Sequence, residues 1–140
     1  MLKWLFAVLL VLQAHFAASY LVPLDREAQA TFGGLLRWAW PWAIGDGGLL
    51  GRITTSGFPI AGFFLAVTTA GVFIVAALAV MGWWVPFGWW RVLATGGAIL
   101  LLVLMLGFFG ATKVLLIALD LFVLWVALTD RLPVAATQAR

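Results

Sequence analysis

From Pro59 to Met81 the chain runs 23 residues without a charged side chain, and Thr68 and Thr69 supply its only polar side-chain groups. As a helix rising ~1.5 Å per residue, such a run reaches across a hydrocarbon core of about 30 Å. A helix apolar on every side belongs inside a large protein or inside a bilayer. A chain of 140 residues is too short to bury it, and 66% hydrophobic residues against 9% charged leave no polar coat. Soluble domains carry roughly a quarter charged residues. The expected fold class is therefore all-α: an integral membrane four-helix bundle, forming one membrane domain over residues 1–140.

Three more apolar runs complete the expected bundle. The first spans Leu2 to Leu21 and stops at Pro23; the others run from about Val92 to Phe109 and from Lys113 to Thr129. The N-terminal run has the order of a signal peptide, with Lys3, then Trp4 to Leu12, then Ala14, Ala17, Ala18 and Ser19. With Met1 present it is read as a first membrane helix. Pro59 suits the first turn of the second span, which covers 59–81. Gly62, Ala66 and Ala70 place small side chains on one face of that span, a pattern that lets membrane helices approach closely.

The connections differ in character. Residues 24–58 hold Asp25, Arg26, Glu27, Arg37, Asp46 and Arg52, with Trp38, Trp40 and Trp42 around Pro41. Tryptophan beside arginine favours the headgroup layer, so this segment is expected to lie along the surface. Between the second and third spans, Trp83, Trp84, Trp89 and Trp90 flank Pro86 and precede Arg91. Proline breaks the helix there, and the tryptophans mark a tight interfacial hairpin. Thr112 is a candidate N-cap for the last span, which Asp130, Arg131 and Pro133 end.

Charge and residue usage exclude several functions. The net charge of +3 is spread over single basic residues with no cluster for phosphates, so nucleic acid is not an expected partner. Membrane lipids and other membrane subunits are, with a multi-pass position in a bacterial inner membrane. The absence of cysteine removes disulfides, thiolate metal sites and iron–sulfur clusters. One histidine cannot build a zinc or di-iron site, and it argues against haem or chlorin. With both termini on one side, Lys3, Arg91, Arg131 and Arg140 face Arg26, Arg37, Arg52 and Lys113, four against four, so basic residues do not set the orientation.

Chemistry, if present, belongs to the polar residues within the spans: Gln13, His15, Ser19, Thr68, Thr69 and above all Asp120. A carboxylate in hydrocarbon costs about 2.5 kcal/mol on insertion scales, so it should face inward and have a partner. Asp120 lies ~10 Å below Lys113, His15 ~12 Å below Pro23, and the threonines about 15 Å below Pro59, all from one membrane face. The expectation is a polar layer with His15 and Asp120 as its candidate pair, Gln13 or a threonine hydroxyl of the second span as other partners for Asp120, and Lys113, two turns back on the same helix face, as the alternative that would dissolve it. Such a pair could relay protons or hold a quinone-like headgroup or a bound lipid; the plainer alternative is an interhelical hydrogen bond. In the plainer case Asp120→Leu should weaken the bundle by roughly 1 kcal/mol.

Ser56-Gly57-Phe58-Pro59 opening the second span, Gly82 closing it and Arg91 opening the third resemble small four-helix bacterial membrane proteins of the DoxX-like type. Where that family has Gly-x-x-Lys at the end of the first helix, this chain has Ser19-Tyr20-Leu21-Val22. The resemblance implies association with a quinone-linked or redox membrane complex and transfers no catalytic residue. Three functional expectations stand. The first is a non-catalytic accessory or scaffold subunit of a membrane complex. The second is a quinone- or redox-linked component using His15 and Asp120. The third is a small carrier or channel that would have to oligomerise.

Overall fold

The computed structural model describes residues 2–21, 58–107 and 113–130. Within them it is all-helical, with four α-helices. These are α1 (Leu2–Ala18), α2 (Phe58–Met81), α3 (Trp90–Gly107) and α4 (Val114–Thr129). A 3-10 turn, Ser19–Leu21, extends α1, and another, Phe87–Trp89, leads into α3. Three segments, Leu2–Leu21, Ile60–Met81 and Phe87–Gly107, are long and apolar enough to cross a membrane. The α4 helix is apolar but has only 16 residues. The expected surface segment 24–58, with Arg37, Trp38, Trp40 and Trp42, lies outside the described residues except for Phe58.

The helices pack in chain order: α1 on α2, α2 on α3 and α3 on α4, with lesser contacts from α1 to α3 and α4. Each buries one stripe at spacings of three and four. On α2 the stripe is Gly62, Ala66, Thr69, Phe73, Ala76 and Val80. On α3 it is Trp90, Ala94, Gly97, Leu101 and Leu104, and on α4 it is Leu116, Asp120, Val123 and Ala127. The small face of α2 is thus used inside the chain, since Gly62 and Ala66 are buried and Ala70 half-buried. Outer faces are apolar as well: Leu5, Phe64, Val92 and Leu115 are each more than 60% exposed.

Local chemistry fixes the α2–α3 turn. Gly82 takes φ +72° after the last residue of α2. Its N–H donates to the Ala79 carbonyl, and the Trp83 N–H donates to the Leu78 carbonyl. This double closure satisfies carbonyls that a helix end otherwise leaves bare. The Val85 N–H then donates to the Trp83 carbonyl at 2.6 Å, a γ-turn centred on Trp84 at φ +58°. Trp83, Trp84 and Trp89 are exposed at this turn, whereas Trp90 is buried. Its ring meets Phe6 edge-on, with centroids 5.7 Å apart. Trp90 therefore packs α3 against α1.

At the same end of the molecule, Arg91 closes α4. Its Nε donates to the Ala127 carbonyl at 3.1 Å and Nη2 to the Leu128 carbonyl at 3.4 Å, while Nη1 lies 3.2 Å from Asp130. The guanidinium thereby covers bare carbonyls at the negative end of the helix dipole.

Candidate functional site at the α1–α4 seam

Two contacts fix how α1 lies along α4. At one end, the Lys113 Nζ sits 4.5 Å from the centroid of the Tyr20 ring, a cation–π contact in which Lys113 is buried. Towards the other end, Leu2, Leu5, Phe6 and Leu9 of α1 line a common groove with Phe122, Trp125 and Val126 of α4. Numbers fall along α1 as they rise along α4, so the helices are antiparallel. Stepping seven residues from Tyr20 and seven from Lys113 brings Gln13 and Asp120 to one level, ~10 Å from the contact.

Both side chains are fully buried, at 0% exposure. Neither amide atom of Gln13 and neither carboxyl oxygen of Asp120 has a hydrogen-bond partner among the described residues. Fully buried polar atoms without partners are rare in folded proteins, because losing water without replacement costs roughly 1–3 kcal/mol per group. Two of them level across one seam form the polar feature that most requires explanation.

The other polar residues singled out from sequence are distributed differently. Asp120 faces inward as expected, but it makes no hydrogen bond to His15. His15 is half-buried and sits two positions from Gln13, about 200° around the helix at 3.6 residues per turn. The Thr69 hydroxyl is buried and donates to the Leu65 carbonyl at 2.6 Å, so it serves its own helix. Thr68 is exposed on the outer face of α2. Ser19 is buried, and its hydroxyl donates to the Phe16 carbonyl. The Asp120 carboxyl makes no hydrogen bond to His15, and Gln13, counted along its helix, stands at a similar depth to Asp120.

Three features of the structure were not apparent from spacing. Lys113 reads as a headgroup cation, yet it is buried against Tyr20; an aromatic at the end of one span and a lysine at the start of another could have suggested it. The Arg91 fork on α4 follows from the opposite charges of Arg91 and Asp130 at one end of the molecule. The third is the groove, about 430 Å³, whose walls are apolar and whose inner end lies one turn from Gln13. Compared with family models, curated proteins and solved structures, the chain finds no match.

Proposed function

We propose that this chain is a four-crossing protein of a bacterial inner membrane that serves as a non-catalytic subunit or scaffold of a larger membrane assembly. The proposal includes kinship with the DoxX-like proteins. It also includes anchoring of the bundle at the interfaces through Arg37, Trp38, Trp40, Trp42, Trp83, Trp84, Trp89 and Arg91; Trp90, expected among them, is buried against Phe6 instead. The α4 helix, ~24 Å long at the helical rise, is the proposed fourth crossing.

The observation that carries the assembly reading is a break in the outer face of α2. Ala61, Phe64, Thr68, Gly71 and Val75 are all exposed at helical spacing, on the side turned away from the buried stripe. A side chain added at Gly71 would meet nothing within 4 Å. Lipid gains nothing from glycine and threonine, whereas a neighbouring helix packs closely over them and can bond the hydroxyl.

The test is gentle extraction from native membranes, comparing the wild type with Thr68→Leu combined with Gly71→Leu. The wild type should co-migrate with other membrane subunits, and the double variant should lose them while melting at the same temperature. A wild-type chain that migrates alone under mild detergent would overturn the reading.

A further inference from the structure

We propose that the groove between α3 and α4 at the Arg91 end binds phosphatidylethanolamine, with the lipid phosphate on the Arg91 guanidinium, its ammonium on Asp130 and one acyl chain lying along α3. The proposal rests on the membrane reading above and does not depend on the chain being an assembly subunit.

The groove turns from polar to apolar along its length, as a lipid does. It measures about 540 Å³ and is lined from α3 by Arg91, Thr95, Gly96 and Ile99 and from α4 by Ala127 and Leu128. Its mouth adjoins the turn where Trp83, Trp84 and Trp89 are exposed, the residue type that favours a membrane interface. Ile99 stands eight residues past Arg91, ~12 Å deeper along α3. A side chain built on Gly96 would meet nothing within 4 Å, so the wall between them is open. Thr95, one turn past Arg91, adds a hydroxyl ~6 Å down, where the ester links between headgroup and chains would lie.

Arg91 keeps donors for a ligand. A guanidinium carries one N–H on Nε and a pair on each Nη. Nε donates to Ala127, Nη2 to Leu128, and Nη1 faces Asp130, which leaves a hydrogen on each terminal nitrogen uncommitted among the described residues. The side chain is 45% exposed. A phosphate is the anion that such paired N–H groups fit best.

Charge selects the headgroup. Asp130, two residues beyond the groove-lining Leu128, lies 3.2 Å from Nη1 and is itself more than half exposed. The mouth therefore offers a cation and an anion side by side. A purely anionic headgroup is attracted by one and repelled by the other at similar distance, which leaves little net gain. A headgroup with its own phosphate and ammonium meets both with opposite charge. The ammonium of phosphatidylethanolamine donates hydrogen bonds to a carboxylate; the methylated ammonium of phosphatidylcholine has no hydrogen to donate.

The test uses the purified full chain, stripped of lipid in detergent and offered phosphatidylethanolamine, phosphatidylglycerol and phosphatidylcholine of identical acyl chains in equal amounts. Native mass spectrometry counts the adducts that survive. The proposal expects one phosphatidylethanolamine retained about fivefold over either competitor, the scale of one exposed ion pair. Asp130→Asn should reverse the order and favour phosphatidylglycerol, because the repelling carboxylate is gone; a merely weakened bundle would lose all three lipids alike. Gly96→Phe, which fills the groove and leaves both charges intact, should remove the preferred adduct at unchanged melting temperature. Excess glycerophosphoethanolamine, the headgroup without its chains, should not displace it. Arg91 itself is kept, since its fork also closes α4.

Equal retention of the three lipids, an unchanged order in Asp130→Asn, full retention in Gly96→Phe or displacement by the free headgroup would overturn the proposal. Preferred retention of phosphatidylglycerol by the wild type would overturn it in favour of a plain anion site. A chain that stays dissolved without detergent would overturn the membrane reading, and the site with it.

Discussion

The α2–α3 seam and the α1–α4 seam are built largely from the same apolar residue types, yet they close differently. Where α2 meets α3, a large ring fills the space beside a residue with no side chain. A methyl group added at Gly97 would lie 3.1 Å from the Phe73 ring, tighter than an ordinary contact. Phe73, Ala76 and Val80 are buried there against Ala94, Ala98 and Leu101, and the Thr69 hydroxyl is satisfied within its own turn. Where α1 meets α4, Gln13 and Asp120 are as deeply buried, but their polar atoms are unpaired, and an open groove runs along the same two helices. Lipid is as apolar as leucine, so membrane helices gain mainly from close packing and hydrogen bonds. The first seam has the close packing; the second has an open groove and unpaired polar groups.

The contrast can be broken most forcefully at Gly97. Gly97→Leu should destabilise the chain by about 3 kcal/mol through overpacking against Phe73, read as a lower midpoint of thermal or denaturant unfolding in detergent. Unchanged stability would mean that the α2–α3 seam is as loose as its counterpart. Gly96→Ala is the internal control. A Cβ there meets nothing within 4 Å, so the change should be neutral or stabilise by a few tenths of a kcal/mol through helix propensity.

At the other seam the expected sign is reversed. Asp120→Leu should stabilise by about 1–2 kcal/mol, because it removes a buried group with no partner. The sequence alone suggested a loss of roughly 1 kcal/mol, on the assumption that the carboxyl was paired. Measuring Asp120→Leu beside Asp120→Asn separates the two. A drop for leucine with retention for asparagine would restore the hydrogen-bonded pair and dissolve the contrast between the seams.

A smaller effect is expected at Arg91. Arg91→Lys keeps the charge but loses the fork that reaches both Ala127 and Leu128, and it should cost about 0.5–1 kcal/mol. The Arg91–Asp130 ion pair is exposed, so Asp130→Asn alone should change little. Equal losses for the two variants would mean that the ion pair, rather than the carbonyl fork, holds the end of α4.

The helices were legible in the sequence because long uncharged runs stand out: those bounded by Pro59, Gly82, Arg91 and Lys113 appear as helices within a residue or two of those marks. Side-chain direction was less legible. Trp90 reads like its three neighbours in the hairpin, yet the Phe87–Trp89 turn rotates it inward onto Phe6. Asp120 was found because a carboxyl in hydrocarbon is conspicuous wherever it stands. Gln13 and His15 were equally conspicuous, and choosing between them needs the antiparallel register set by the Tyr20–Lys113 contact. The groove left no trace in spacing, since its walls are ordinary apolar residues and only their separation makes it.

The tight turn at Gly82 bears on how the molecule is made. It joins α2 to α3 so closely that the two helices can pair as a hairpin before α4 has been synthesised. Until α4 arrives, the Arg91 guanidinium has no carbonyls to cover. The α1–α4 seam joins the first and last of the four helices, so it forms only once α4 has been made. Its contacts are few beside those of the other seams, so it is also where the finished molecule would part most cheaply. A parting there leaves the α2–α3 hairpin shut.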